Sequence, residues 1–317
     1  MVSALPKPAR YTPWTKGVYD VAPAMKPFGT DFGNGVADRR LFQLDTDRDR
    51  FRRNKREALC ERHSKYVQRK DLSVDVEQAA VETIGGRLAD EYPDRFLIQD
   101  SERGLFLCGE GGKTSLEVTD KIDPARPMIV PALERLALHI QEDFAIVSTN
   151  GDQDWVSYLH LCSPSHWAAE DKIGHTFTEV HRPVPGFERV NAATKGLTEA
   201  MVNKGPFVRF VWGVESDFRL NHHPQPAPGW TEEDWRGRDF SHGYFWVRVE
   251  RQVVWGLPEV GAALFTIKVG FVRSDDVLDD SLLRDTLISS LESMSEDARH
   301  YKGLDRDWKT LMQILKG

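Results

Sequence analysis

At 317 residues the chain has room for about two domains of roughly 150 residues each and for a substantial buried core. Apolar residues make up 40%, charged residues 29% and aromatic residues 10%, the balance of a globular protein, which excludes a disordered or collagen-like chain. With 42 Lys and Arg against 49 Asp and Glu the net charge is -7, which argues against a nucleic-acid backbone as partner. No segment approaches the stretch of about 18 apolar residues that a membrane span requires, and residues 1–20 lack the apolar centre of a secretory signal, so no membrane partner and a cytoplasmic location are expected.

In chain order, the opening stretch to Asp45 is rich in Pro, Gly and aromatics (Trp14, Tyr19, Phe28, Phe32) and lacks periodicity. It predicts an extended arm ordered by contacts with the body. Asp47 to Val67 has a polar helical pattern, and its basic run, Arg50, Arg52, Arg53 and Lys55 flanked by Asp47, Asp49 and Glu57, reads as a solvated helix face. A second helix is expected over Val74 to Leu88, where Val76, Ala80, Ile84 and Leu88 share one side. Phe96 to Ile98 and Gly104 to Cys108 predict short strands, and Gly109 to Lys113 a hairpin turn. Leu133, Leu136 and Ile140 predict a helix over Pro131 to Phe144, with Glu142 and Asp143 towards its exposed end.

From Ala145 the composition becomes β-rich. Ala145 to Ser148 and Trp155 to Cys162 predict strands, Ala168 to Glu179 a short helical stretch, and Val190 to Val202 a helix after the break at Arg182-Pro183-Val184-Pro185-Gly186. Three long strands follow, Phe207 to Val214, Tyr244 to Trp255 and Ala262 to Val272, rich in β-branched and aromatic residues. Between them, Asn221 to Ser241 is a loop long enough to suggest a functional role. Leu282 to Met294 and Asp305 to Leu315 predict amphipathic helices. The fold class is therefore α+β: an antiparallel sheet core over residues 145–275, a mainly helical extension over 1–144 and a helical one over 276–317.

Most familiar motifs are missing. Gly109-Glu110-Gly111-Gly112-Lys113 lacks the spacing of a phosphate loop, and there is no GxSxG elbow. Cys60, Cys108 and Cys162 are odd in number and far apart, which suits neither a disulfide framework nor a structural zinc or iron-sulfur site. His222-His223 would be half a metal site at best and reads as loop surface, while His160, His166 and His175 are isolated.

From Asp154, the string DWVSYLHLCSPSHWAAEDKIGHTFTEVHRPVPGFE, then RFVWGVESDFRL and FWVRVERQVVWGLPEVGAALFTIKV, resembles the haem-dependent oxidative N-demethylase α subunits over about Ala145 to Val272. The shared tokens are a D-W start, C-x-P-S-x-W, K-I-G, V-H-x-P-V-P-G, R-F-x-W with a downstream Asp, and R-V-E-R-Q before L-F-T-I. The resemblance implies a PAS-like core holding haem b through its iron, and oxygen-dependent demethylation of a small secondary amine such as dimethylamine. It also implies partner reductase or electron-transfer subunits carrying flavin and an iron-sulfur centre, for which this chain has no motif of its own. A haem-binding PAS-type gas or redox sensor without turnover is the alternative.

Carried onto this sequence, the resemblance implies His181 as the metal and cofactor ligand, at the end of the helix that follows Lys172-Ile173-Gly174, with His175 as the fallback. Arg209, among apolar neighbours on a strand, and Lys172 are candidates to meet a haem propionate, and Trp212 is a further cofactor-binding candidate. Strand alternation puts Trp246, Arg248, Glu250 and Gln252 on one face and Phe245, Val247, Val249 and Arg251 on the other. Arg248, Glu250 and Asp217 are the catalytic candidates. A polar stripe of this kind also suits a plain solvent face, where ion pairs contribute little.

Overall fold

Alternating apolar residues in the last third of the chain build the centre of the structure, a computed structural model that describes residues 3–21, 24–101, 104–109, 114–117, 131–187 and 194–317. In chain order the arm carries β1 (Lys26–Pro27), α1 (Arg48–Tyr66) runs into β2 (Val67–Arg69), and α2 (Val74–Glu91) into the meander β3 (Leu97–Ser101), β4 (Gly104–Gly109) and β5 (Thr114–Glu117). Next come α3 (Ala132–Ala137), the hairpin of β6 (Asp143–Asn150) and β7 (Gln153–His160), and the helices α4 (Phe177–His181) and α5 (Thr194–Asn203). Then follow β8 (Phe207–Glu215), α6 (Glu232–Arg236), β9 (Trp246–Leu257), β10 (Ala262–Arg273) and the closing helices α7 (Ser274–Leu278), α8 (Ser281–Glu292), α9 (Glu296–Tyr301) and α10 (Trp308–Lys316).

Seven of these strands form one antiparallel sheet in the order β1-β8-β9-β10-β6-β7-β2. Its two edge strands come from the first 70 residues, so the arm and α1 extend the sheet that the central segment begins. Both faces are covered. On the back, Ile146, Val253 and Leu264 pack with Leu41, Val76, Ile84, Leu88 and Leu133. Further along the same face, Trp212, Val247, Val249 and Val272 meet Trp14 of the arm and Leu287, Leu291 and Leu311 of the closing helices. On the front, Ala145, Leu159 and Ile267 lie under Trp167, Ala169 and Val180, and Val254, Ala263 and Phe265 under Phe177, Phe187 and Met201. Gly256 lets α5 approach: a Cβ there would collide with the Val202 carbonyl oxygen.

The predicted strands and long helices fall close to where the periodicity placed them, and differences arise where distant partners decide. The expected helix over Pro131 to Phe144 stops at Ala137, because Glu142 and Asp143 turn inward instead of ending it in solvent. Glu142 accepts the Gln43 backbone N–H at 2.7 Å, and Asp143 opens β6 and accepts the Ser163 N–H. The basic run of α1 is likewise not wholly solvated. Lys55 is fully buried, 3.8 Å from Asp143, and donates to the carbonyls of Ala137 and Ile140 at 2.9 and 3.2 Å and to that of Glu142. Ala168 to Glu179 forms mostly turns, with the helix delayed to Phe177–His181. His222 and His223 are buried, not loop surface. The hairpin joining β4 to β5 pairs Gly109 with Thr114, and its turn, 110–113, lies outside the described residues.

The Lys55–Asp143 pair links α1 to the first strand of the central segment inside the protein, and removing one member of such a pair leaves the other desolvated. Lys55→Met is expected to lower the unfolding free energy by about 3–5 kcal/mol, and adding Asp143→Asn to recover part of the loss, both read from urea midpoints. Burial also pushes His160, His166, His222 and His223 below the ordinary 6.5, His223 to about 4. Between its lowered value and 6.5 each of them holds fewer protons folded than unfolded, so stability is full above about 6.5 and falls as the pH drops towards 4. The expected slope is up to about 1.4 kcal/mol per pH unit for each histidine, and a stability that stays flat from pH 7 to 5 would contradict it.

Candidate active site

The short helix α4 is held at both ends. Thr176 and Glu179 form a capping box, with Thr176 Oγ1 accepting the Glu179 N–H at 3.2 Å and Glu179 Oε2 accepting the Thr176 N–H at 2.9 Å. Phe177 N–H donates to Asp154 Oδ2 at 2.6 Å, which pins the helix to the start of β7. At the other end Lys172 Nζ donates to the Val180 carbonyl at 3.0 Å. Pro183, Pro185 and the left-handed Gly186 then turn the chain away.

His181 closes this helix. Its Nδ1–H donates to the Phe177 carbonyl at 2.8 Å, and its ring packs beside Phe177 and Phe187, at centroid distances of 4.1 and 5.4 Å. Burial lowers its pKa to about 4, and Arg209 and Lys172 act in the same direction, so the imidazole is neutral at physiological pH. With the proton on Nδ1 and that hydrogen committed, the lone pair of Nε2 is the one left for a ligand, the tautomer a metal-binding histidine needs.

Across from α4, the front face of the sheet carries the polar stripe of β9. Gln252 pairs with Arg209, Glu250 with Val211, Arg248 with Gly213 and Trp246 with Glu215. The stripe is buried, so the solvent-face alternative does not hold. Glu250 is fixed from both sides, by Gln252 Nε2 at 3.0 Å and by Arg248 Nε at 3.6 Å. Arg248 donates onward to the Leu220 and Ser163 carbonyls. Arg209 has no hydrogen-bond partner on its buried Nε.

His181, Arg209, Arg248 and Glu250 therefore share one side of the sheet, with Lys172 behind α4. Trp212 does not join them: strand alternation sends it to the back face, against Trp14 and Tyr19. Asp217 sits beyond β8, bonded to His222 Nε2 at 3.0 Å and paired with Arg219 at 2.8 Å. Burial works to raise its carboxyl, but the His222 hydrogen bond and Arg219 outweigh it and hold it well below the usual range. His175 lies half-exposed, 3.7 Å from Glu179.

Sequence reasoning missed a second polar group beside this face. Glu215, at the inward end of β8, is paired with Arg238 and lies 3.3 Å from His166, whose ring stacks on His222. The loop after β8 is drawn in by two backbone bonds, His222 N–H to Pro164 O at 3.0 Å and His166 N–H to His222 O at 2.9 Å. The one sequence signal was parity, since Glu215 shares the inward register of Arg209. Among the described residues, His166, Glu215 and His222, and separately Asp143, His160 and Cys162, bring potential ligand atoms within 4.8 Å of one another. Arg238 neutralises the first set and Lys55 the second, so both act as buried charge networks.

No helix among the described residues is long and apolar enough to cross a membrane. A family model described as haem-dependent oxidative N-demethylase, alpha subunit-like, matches residues 34–312, which takes in every strand of the seven-stranded sheet but the edge strand β1 and most of the closing helices. The chain belongs to the haem-dependent oxidative N-demethylase, alpha subunit-like family.

Proposed function

We propose that this chain is the haem-binding catalytic subunit of an oxidative N-demethylase that uses dioxygen and externally supplied electrons to remove a methyl group from a small secondary amine such as dimethylamine. The observation that carries the reading is His181: a neutral imidazole with Nδ1–H tied to a backbone carbonyl, Nε2 uncommitted, and two flat rings beside it. The unpartnered Nε of Arg209 on the facing strand suits a propionate, and the apolar surface of Phe177, Phe187, Val254 and Phe265 suits a flat macrocycle. The residues therefore fit a b-type haem ligated through its iron.

When bound, haem supplies the oxygen and one-electron chemistry that no side chain provides. His181 would be the residue that holds the haem through its iron, and the aromatic cluster around it would exclude water. Glu250 stays oriented by Arg248 and Gln252, and its carboxylate is the group we assign to the ammonium of the substrate. Arg248 holds Glu250 in place, and Asp217 orients His222 at the margin of the site. Lys172 acts through α4, steadying the carbonyl next to His181, which supports a cofactor-side role for it. Trp212, on the back, would act only through the strand it belongs to.

The PAS-like reading of residues 145–275 is supported by the chain order of strand, strand, short helices and three long strands within one antiparallel sheet. The described residues before 145 and after 275 are then extensions that supply both edge strands and pack chiefly on its back face. Three separated cysteines are too few for a four-thiolate iron-sulfur cluster, which supports electrons arriving from partner subunits that carry flavin and an iron-sulfur centre, in a reducing cytoplasm.

Purified protein, with haemin added, is expected to show a Soret band, and His181→Ala to change its position or abolish it. An unchanged spectrum in that variant transfers the ligand role to another residue. With a reductase and dioxygen, the loaded protein is expected to release formaldehyde from dimethylamine, with Glu250→Gln lowering kcat/KM at least about tenfold through the lost charge. Full haem loading without turnover of any small methylamine would remove the substrate assignment.

A further inference from the structure

The front face near the outer edge of β8 holds more positive charge than its carboxylates balance. Arg209, Arg238, Arg248 and Lys302 converge there, and among the described residues the carboxylates that face them are Glu215, paired with Arg238, and Glu250, paired with Arg248. The other acids nearby have cations of their own: Asp217 has Arg219, Asp307 has Arg236 and Asp143 has Lys55. Four cations against two carboxylates leave Arg209 and Lys302 in excess, and two unmatched positive charges equal the charge of a dicarboxylate.

The fold places these two side chains deliberately. β1 pairs with β8 only at Phe207 and Val208, so the outer edge of β8 beyond them has no strand beside it from β1. The turn after α9 fills that place: Lys302 Nζ donates to the Trp212 carbonyl at 3.0 Å, and the Lys302 carbonyl accepts Arg238 Nε at 3.1 Å. Arg209 projects from the front of the same strand with its Nε unsatisfied. Burial lowers Lys302 to about 8; Glu250 acts against that shift, and Arg238 and Arg209 act with it. A divalent metal would be repelled here and an anion drawn in.

We propose that Arg209 and Lys302 form a two-point seat for the two carboxylates of haem, so that the C-terminal segment takes part in holding the cofactor. The proposal rests on the haem reading above and adds a positioning residue, Lys302, from outside the central sheet. It gives the turn after α9 a reason to lie along the edge of β8: it brings the second cation.

The test titrates haem-free protein with haemin and with haemin dimethyl ester, whose carboxylates carry no charge, and follows the Soret band. Wild-type protein is expected to bind the ester at least about tenfold more weakly than haemin, a charge-assisted hydrogen bond being lost. Arg209→Met and Lys302→Met should each weaken haemin by about tenfold and leave the ester unchanged, and Lys302→Arg should restore haemin binding. A Lys302 that merely braces Trp212 would, when replaced by Met, weaken haemin and its dimethyl ester alike; the seat predicts a loss for haemin alone. Equal binding of haemin and ester by wild type, or full haemin affinity in Lys302→Met, overturns the seat while leaving haem binding intact. No Soret band with haemin itself brings down the haem reading, and the seat with it.

Discussion

A twelve-residue strand buried on both faces sets the terms for the rest of this protein. β9 lies inside the sheet, between β8 and β10, with helices behind it and residues from 163–187 and 194–205 in front. Yet it carries Arg248, Glu250, Arg251 and Gln252 in succession, none of them more than 9% exposed. Ionic groups in such a position must be met by partners within the fold. The arm meets Arg251, whose guanidinium donates to the Arg40 carbonyl at 2.9 Å, and Asp45 meets the neighbouring Lys268 at 3.1 Å. The loop after β8 meets Arg248 through the Leu220 carbonyl. Segments that look peripheral in the sequence are thus drawn in by what β9 needs.

The same requirement divides the sheet into a structural and a chemical side. On the back, large apolar residues fill the space and the buried charges are closed by carbonyls and Asp45. On the front, charge is arranged around a helix only five residues long, one too short to hold its shape alone. A capping box, the bond from Phe177 to Asp154 and the Lys172 bond to Val180 supply what length does not. Those constraints fix the orientation of His181, and a fixed orientation is what the ligand role proposed for it requires.

In the function proposed for this chain, His181 and Glu250 are the two front-face groups that carry the chemistry. The histidine is neutral because it is enclosed, and the carboxylate is oriented because Arg248 and Gln252 hold it from either side. His166, Glu215, His222 and Asp217 form an adjoining network whose members bond chiefly to one another and to Arg238 and Arg219. Its place at the end of β8 ties the loop from Asn221 to Ser241 to the margin of the site.

Local pattern in the sequence was enough to locate the three long strands, α1, α2 and the closing helices, because burial on one face or both imposes a period of two or 3.6 on the chain itself. It was enough to place Arg248 and Glu250 on one face of their strand, since parity along a strand is a property of the backbone; the register of β8 against β9 is what adds Arg209 to that face. Ordered tokens from Asp154 onward pointed to the family. What the pattern did not contain was depth. Lys55, Asp143, Glu142, His222 and His223 read as surface groups because their partners lie up to about a hundred residues away in sequence, at Ala137, Ser163, Gln43 and Pro164 among others. Lys302 and Arg238 gave no local signal for the same reason. Whether a charged side chain is solvated or enclosed depends on what the rest of the chain lays over it, and only the tertiary structure decides that.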